Sequence, residues 1–227
     1  TWQTDDDFDH IPKLLQTRGV TLRQEQLQPE GWQLESAAAL DLLQKLRDTG
    51  TPLGEYVQGR FYRGVLTGLN EAFVIDQATR DQLIQQDPNS ADLLKPYLRG
   101  RDVKKWAPVY ADLYLIKIES SENKTHPWTG HPPAEAEAIF RQSYPAIANR
   151  MLGPDHREKL IKRADQGKYF WELRSCAYWN EFDQPRIMYP DIYEHQSFCF
   201  VEQEIYSTNT TYFIRTDEKW LCALLNS

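Results

Sequence analysis

A chain of 227 residues with 41% hydrophobic and 12% aromatic side chains can build one large core or two small ones, which excludes a disordered or fibrous protein. A formal charge of −7 argues against a simple nucleic-acid binder, because phosphate contacts draw on Lys and Arg. No apolar run approaches the roughly 20 residues of a bilayer crossing, and Asp5, Asp6, Asp7 and Asp9 are the wrong sign for a signal peptide, so a cytoplasmic setting with no membrane partner is expected.

The first thirty or so residues mix acidic side chains, Gln and Pro with little periodicity, and residues 1–33 read as a connector from an upstream domain. From Leu34 to Leu46 the leucines fall at near-helical spacing, with Ser36 as N-cap and Thr49-Gly50-Thr51-Pro52 as the stop. Arg60 to Thr67 and Glu71 to Asp76 are rich in β-branched and aromatic residues and flank Gly68-Leu69-Asn70, which predicts a hairpin with its tip at Thr67–Asn70. Two short helices are expected next, Thr79–Gln86 and Ser90–Leu98, then a basic run from Arg99 to Trp106 and a strand at Leu113–Ile118.

Residues 119–133 are polar and Pro-rich, hence a loop, and three helical stretches come after it at Ala134–Arg141, Tyr144–Leu152 and Asp155–Ala164. Strands are expected at Arg186–Tyr189, Ser197–Val201 and Tyr212–Arg215 before a closing amphipathic helix. Strands and helices do not alternate strictly. The fold class is therefore α+β, a largely antiparallel twisted sheet with several short helices. Thr1 at one end and an amphipathic pattern without a terminator at the other read as cut points in a longer protein.

Catalytic signatures are weak throughout. Gly59, Gly64 and Gly68 have neither the spacing nor the strand-to-helix setting of a nucleotide-binding loop. His131-Pro132-Pro133 lacks the amide of the Asn-Pro-Pro-aromatic motif that holds a target amine, and His156-Arg157-Glu158 lacks the Cys-X-X-Cys partner of a zinc deaminase. Cys176, Cys199 and Cys222 fit neither a disulfide framework nor a closed zinc site and read as reduced, packed thiols. Asp191 after Pro190, with Asp217 and Lys219, matches the loose pattern of a metal-dependent nuclease. The match is weak in a chain with 33 carboxylates, and helix N-terminal charge accounts better for Asp217 and Glu218.

Charge is uneven along the chain. Residues 1–56 and 175–227 each carry −5, whereas 57–117 and 151–174 each carry +2. This distribution fits a basic face between acidic ends and equally an ordinary solvated surface.

Several segments occur in a distinctive order: Gly64 to Asp76, Lys95 to Val103, Trp171-Glu172-Leu173-Arg174, Pro185 to Ile192 and Leu221 to Ser227. From about Leu34 to Ser227 the chain resembles the TaqI-like C-terminal specificity domain of adenine-specific DNA methyltransferases, including the fused type IIG restriction-modification enzymes. The resemblance implies a target recognition domain over residues 34–227, in a family whose pattern continues beyond Ser227. It implies double-stranded DNA as partner and contact with a separate methyltransferase domain of the same protein. That domain would bind S-adenosylmethionine and carry out adenine methylation, so no catalytic residue, metal or cofactor is expected in this chain.

For the DNA-contacting residues two readings stand side by side. Thr67 and Asn70 suit groove contact, Asn being able to bridge two edges of an adenine, and they suit the shaping of a turn. Arg99, Arg101, Lys104 and Lys105 fit phosphate or guanine contact, or a solvated loop paired through Asp102. Lys159, Lys162, Arg163, Lys168 and Arg174 fit a backbone clamp or an ordinary charged helix face. Tyr169 and Trp171 could stack on DNA or belong to a core. The rivals to a DNA reader are the nuclease of Asp191, Asp217 and Lys219, and a protein-interaction module docking to the catalytic domain.

Overall fold

The computed structural model describes residues 10–19, 21, 24, 31 and 35–227, so most of the expected connector over 1–33, and Leu34, lie outside the described residues. The chain divides into two compact units, Thr1–Tyr56 and Val57–Ser227. In the first, helix α1 spans Ile11–Arg18 with Pro12 in its first turn, where a missing N–H costs nothing. Helix α2 spans Ala37–Thr49, and the Ser36 hydroxyl accepts from the Ala39 N–H at 3.3 Å, as the sequence predicts. The short helix α3, Leu53–Tyr56, closes the unit.

The second unit is α+β and contains two four-stranded sheets. Strands β1 (Phe61–Arg63), β5 (Arg186–Pro190), β6 (Cys199–Val201) and β8 (Thr211–Arg215) form one sheet in the order β1-β8-β5-β6, antiparallel throughout. Strands β2 (Val74–Asp76), β3 (Leu94–Leu98), β4 (Leu113–Ile116) and β7 (Tyr206–Ser207) form the other in the order β2-β4-β3-β7, with only β3 and β7 parallel. Consecutive strands β7 and β8 belong to different sheets, so the turn at 208–210 carries the chain from one to the other.

The predicted Thr67–Asn70 hairpin is not formed. Strand β1 pairs with β8 and β2 pairs with β4, which places the two intended partners in different sheets. Two local features account for this. A Cβ on Gly64 would come within 2.0 Å of the Thr208 carbonyl oxygen, so only glycine lets this backbone approach the inter-sheet turn, where Val65 N–H donates to the Ser207 carbonyl at 2.6 Å. Beyond it, Asn70–Phe73 forms a single helical turn, α4, that buries Ala72 and Phe73 completely. Burial of Phe73 outweighs the strand preference of its neighbours.

The expected helix over Ser90–Leu98 is also corrected. A 3-10 turn over Pro88–Leu93, capped by the Asp87 carboxylate accepting from Asn89 N–H at 3.1 Å, leads directly into β3. Pro96 is the reason, because it disfavours helical dihedrals at Lys95.

The remaining helices are α5 (Gln77–Gln86, capped by the Asp76 side chain), α6 (Pro133–Ser143), α7 (Pro145–Met151), α8 (Arg157–Lys162) and α9 (Lys219–Leu225). They lie close to the expected helical positions. Between α6, α7 and the β4 loop sits an aromatic core: Trp171 stacks on Phe140 at 5.3 Å and on Tyr169 at 5.0 Å, with Trp128 edge-on to both Phe140 and Trp171. Trp171 and Trp128 are fully buried and Tyr169 nearly so, which assigns Tyr169 and Trp171 to the core rather than to stacking on DNA. Each such ring removes roughly 150–250 Å² from water.

Candidate nucleic-acid interface

An open groove of about 860 Å³ runs across one face of the second unit. One wall is made by Asn70, at the start of α4, and by Arg99, Arg101 and Lys104, which come directly after β3. The 190–197 connection between β5 and β6 lines the groove as well, and Thr208 and Thr210 of the inter-sheet turn contribute the rest. The Arg99 segment follows β3 and the 190–197 segment follows β5, so the sheets hold both at the groove.

The Arg99 end is rigid. A 3-10 turn over Gly100–Asp102 folds back so that Asp102 accepts from the Arg99 backbone N–H at 2.8 Å and from Nε and Nη2 at 2.9 Å each. Burial raises the Asp102 carboxyl, but the hydrogen bonds from the Arg99 side chain and backbone outweigh it, leaving the group below its ordinary value. Arg99 is raised in turn by its bond to Asp102. Its charge is thus largely balanced within the turn, as the loop reading of the sequence anticipates. Arg101 and Lys104 differ: both are exposed, and among the described residues neither has an ion-pair partner.

Thr67 is only 2% exposed and does not project into the groove. Its hydroxyl accepts from the Leu69 N–H at 3.2 Å and donates to the Asn70 side-chain oxygen at 2.6 Å. Thr67 therefore orients Asn70, which is exposed and faces the groove. Gly68 between them has φ +67°, and a Cβ there would lie 2.9 Å from the Asp165 Cβ, so the turn requires glycine on both counts.

Arg163, for which the sequence offers a DNA-backbone clamp or a charged helix face, is buried. Its guanidinium donates to the carbonyls of Thr67, Phe170 and Glu172 and lies 4.5 Å from the Phe73 ring centre. Burial lowers its pKa to about 10, still well above neutrality, so the group remains a cation that ties the Thr67 turn to the aromatic core. Lys162 is exposed and paired with Glu158 one turn away at 2.5 Å, and Lys105 lies over the Trp106 ring at 5.4 Å. Arg174 pairs with Asp165 at 3.3 Å and lines a separate cavity of about 300 Å³ with Arg63 and Cys176. Of the sequence-predicted residues, the groove thus unites Asn70, Arg99, Arg101 and Lys104 and leaves Lys105, Lys162, Arg163 and Arg174 outside it.

The profile of the TaqI-like C-terminal specificity domain matches residues 95–227, which is more than half of the chain. The chain belongs to this family. The match takes in the Arg99–Lys104 wall and the whole 190–197 wall of the groove; Asn70 precedes it. No match was found among curated proteins. Among solved structures, the chain is similar to the type IIL restriction-modification enzyme MmeI, determined in complex with DNA, with 17% identity and a TM-score of 0.43 over 74% of this chain. The similarity spans only 20% of the MmeI chain.

In this specificity domain the exposed residues 191–195 are the main addition to the site; the sequence marks Asp191 as part of a nuclease pattern and Pro185–Ile192 as a family-like segment, and offers none of them for DNA contact. Their legible signal is a polar stretch between two strand-like segments. The nuclease reading finds no geometric support: Lys219 pairs with Glu202 at 3.0 Å on α9, and among the described residues no three His, Cys, Asp or Glu side chains cluster closely enough to hold a metal ion. The cysteines are free, with Cys199 and Cys222 buried and Cys176 partly so. No helix among the described residues is long and apolar enough to cross a membrane.

Proposed function

We propose that this chain is the DNA-reading module of a restriction-modification enzyme, and that its parent methylates adenine in the recognised site. The observation that carries the reading is the placement of two exposed cations, Arg101 and Lys104, which have no ion-pair partner among the described residues, in the groove that also presents Asn70. Phosphate contacts by the cations would hold the duplex in register, and Asn70 would read a base edge in the groove. Arg101 also has the fork geometry for guanine O6 and N7. The carboxylates of Asp191 and Glu194 in the groove suit the exocyclic amine of cytosine. A groove that offers both donors and acceptors suits sequence discrimination better than general polyanion binding.

In this reading the methyl transfer, and in a fused enzyme the cleavage, belong to a separate domain of the same protein that binds S-adenosylmethionine. Neither Gly64 nor Gly68, the glycines nearest to the spacing of a cofactor loop, offers a cradle for that cofactor. Gly64 is packed against the Thr208 carbonyl rather than opening a cradle, and the segment after Gly68 leads into a single four-residue turn, α4. No step of the transfer is therefore assigned to this chain.

Fluorescence anisotropy with a pool of duplexes of randomised sequence, titrated at several salt concentrations, tests the reading. Arg101→Ala with Lys104→Ala should lower the magnitude of the log–log salt slope by about 2, one for each lost phosphate contact. Asn70→Ala should leave that slope unchanged and reduce selectivity when bound duplexes are sequenced. Binding indifferent to all three substitutions would overturn it.

A further inference from the structure

The 190–197 wall carries a side chain that neither folding nor phosphate contact explains. Ile192 is 91% exposed, the highest value among the exposed large hydrophobic residues described, yet the backbone beneath it is anchored. Pro190 is buried at the end of β5, and the Asp191 N–H donates to the Thr210 carbonyl at 2.9 Å. On the other side, the Tyr193 ring meets Phe198 edge-on at 6.1 Å, and Phe198 packs against Tyr189 of β5 at 5.3 Å. An anchored base thus presents an apolar tip in the groove that Arg101 and Lys104 also line.

The charges flanking the tip decide where it would sit on a duplex. Asp191 and Glu194 are exposed carboxylates on either side of Ile192, and phosphate oxygens repel both. This stretch therefore cannot lie along the DNA backbone. The cations lining the same groove can, which leaves the Ile192 stretch to face the base edges, where exocyclic amines donate to carboxylates. At that depth a branched aliphatic side chain meets two kinds of apolar surface, the thymine methyl group and the face of a base pair, and only entry at the second unwinds the duplex.

Resting on the DNA-reading function above, we propose that Ile192 is a wedge that enters a base step of the bound duplex and partly unstacks it. Unstacking unwinds DNA, so the effect can be read on a plasmid without knowing the recognised sequence. The chain is bound to relaxed closed-circular plasmid, topoisomerase I is added, and the change in linking number is measured per bound chain. Occupancy is matched between variants by anisotropy.

The wild-type chain should shift the linking number, Ile192→Ala should reduce the shift per bound chain at least about twofold, and Ile192→Leu should retain most of it. Because Ile192 is exposed, none of these substitutions threatens the fold. A wild-type chain that binds through Arg101 and Lys104 without shifting the linking number, or an Ile192→Ala chain that shifts it fully, overturns the wedge and leaves the DNA-reading function standing. Absence of cation-dependent binding to the plasmid overturns both.

Discussion

The Thr67 hydroxyl donates to the Asn70 side-chain oxygen at 2.6 Å while accepting from the Leu69 N–H. One buried residue thereby sets the amide orientation of an exposed one. With its oxygen turned toward Thr67, Asn70 directs its amino group outward, where base acceptors such as adenine N7 or thymine O4 are complementary.

Thr67→Val keeps the shape and removes both hydrogen bonds. It should lower stability by about 1–2 kcal/mol in urea unfolding and weaken base selectivity in the direction of Asn70→Ala. Thr67→Ser, which retains the hydroxyl, should preserve both. If Thr67→Val left selectivity intact, the orienting role would be lost while the turn's structural role survived.

Arg163 and Lys162 are adjacent in sequence and opposite in consequence. Arg163→Met removes the donors to three carbonyls, those of Thr67, Phe170 and Glu172, and should cost about 3–5 kcal/mol. Lys162→Ala removes one exposed pair with Glu158 and should leave the unfolding midpoint unchanged. Equal midpoints for the two variants would contradict the buried tie.

Glu172 lies fully buried beneath the aromatic core. Its carboxylate accepts from Trp128 Nε1 at 2.8 Å, from the Ser121 N–H at 3.0 Å and hydroxyl at 2.5 Å, and from the Tyr169 N–H at 3.1 Å. Glu172→Gln replaces one acceptor by a donor that faces other donors. A loss of about 3 kcal/mol is expected, monitored by tryptophan fluorescence because Trp128 and Trp171 report directly on the site. Stability within error of the wild type would show that the network rearranges freely.

His126 stacks on Trp128 at 4.5 Å, and its Nε2 lies 2.8 Å from the Glu119 carbonyl. Burial, opposed only in part by the Glu119 carbonyl and the Glu172 charge, holds its pKa below the ordinary 6.5. The unfolded chain therefore takes up the proton first as pH falls. Stability from this group should be complete above pH 6.5 and should decline as pH drops toward the lowered folded value. Urea midpoints between about pH 7.5 and 5.5 should show that decline, and His126→Gln should flatten it. An identical slope in the variant would assign the dependence to other groups.

Much of this architecture is legible in the sequence where signals are local. Ser36 caps α2, Asp76 caps α5, Asp87 caps the 3-10 turn over Pro88–Leu93, and the strands β4, β5, β6 and β8 lie in or within a residue of the segments marked by their β-branched and aromatic residues. Pro96 already carries the information that excludes a helix through Lys95. Trp171-Glu172-Leu173-Arg174 is distinctive as a motif, and its structural content is a ring and a carboxylate in the core, with an exposed cation after them on the surface.

The α+β class, the family and the short-range caps are written in the order of residues along the chain, since caps and strand signals depend on neighbours only a few positions apart. Packing had to decide that Phe61 to Asp76 serves two sheets instead of one hairpin, because Gly64 must approach the Thr208 carbonyl, more than a hundred residues away. The same long-range packing buried Thr67 and Arg163 and left Asn70 exposed in the groove that the 190–197 segment also lines. Charge and side-chain type state what a residue can bind; burial, which is a property of the packed chain, decides whether it is free to bind it.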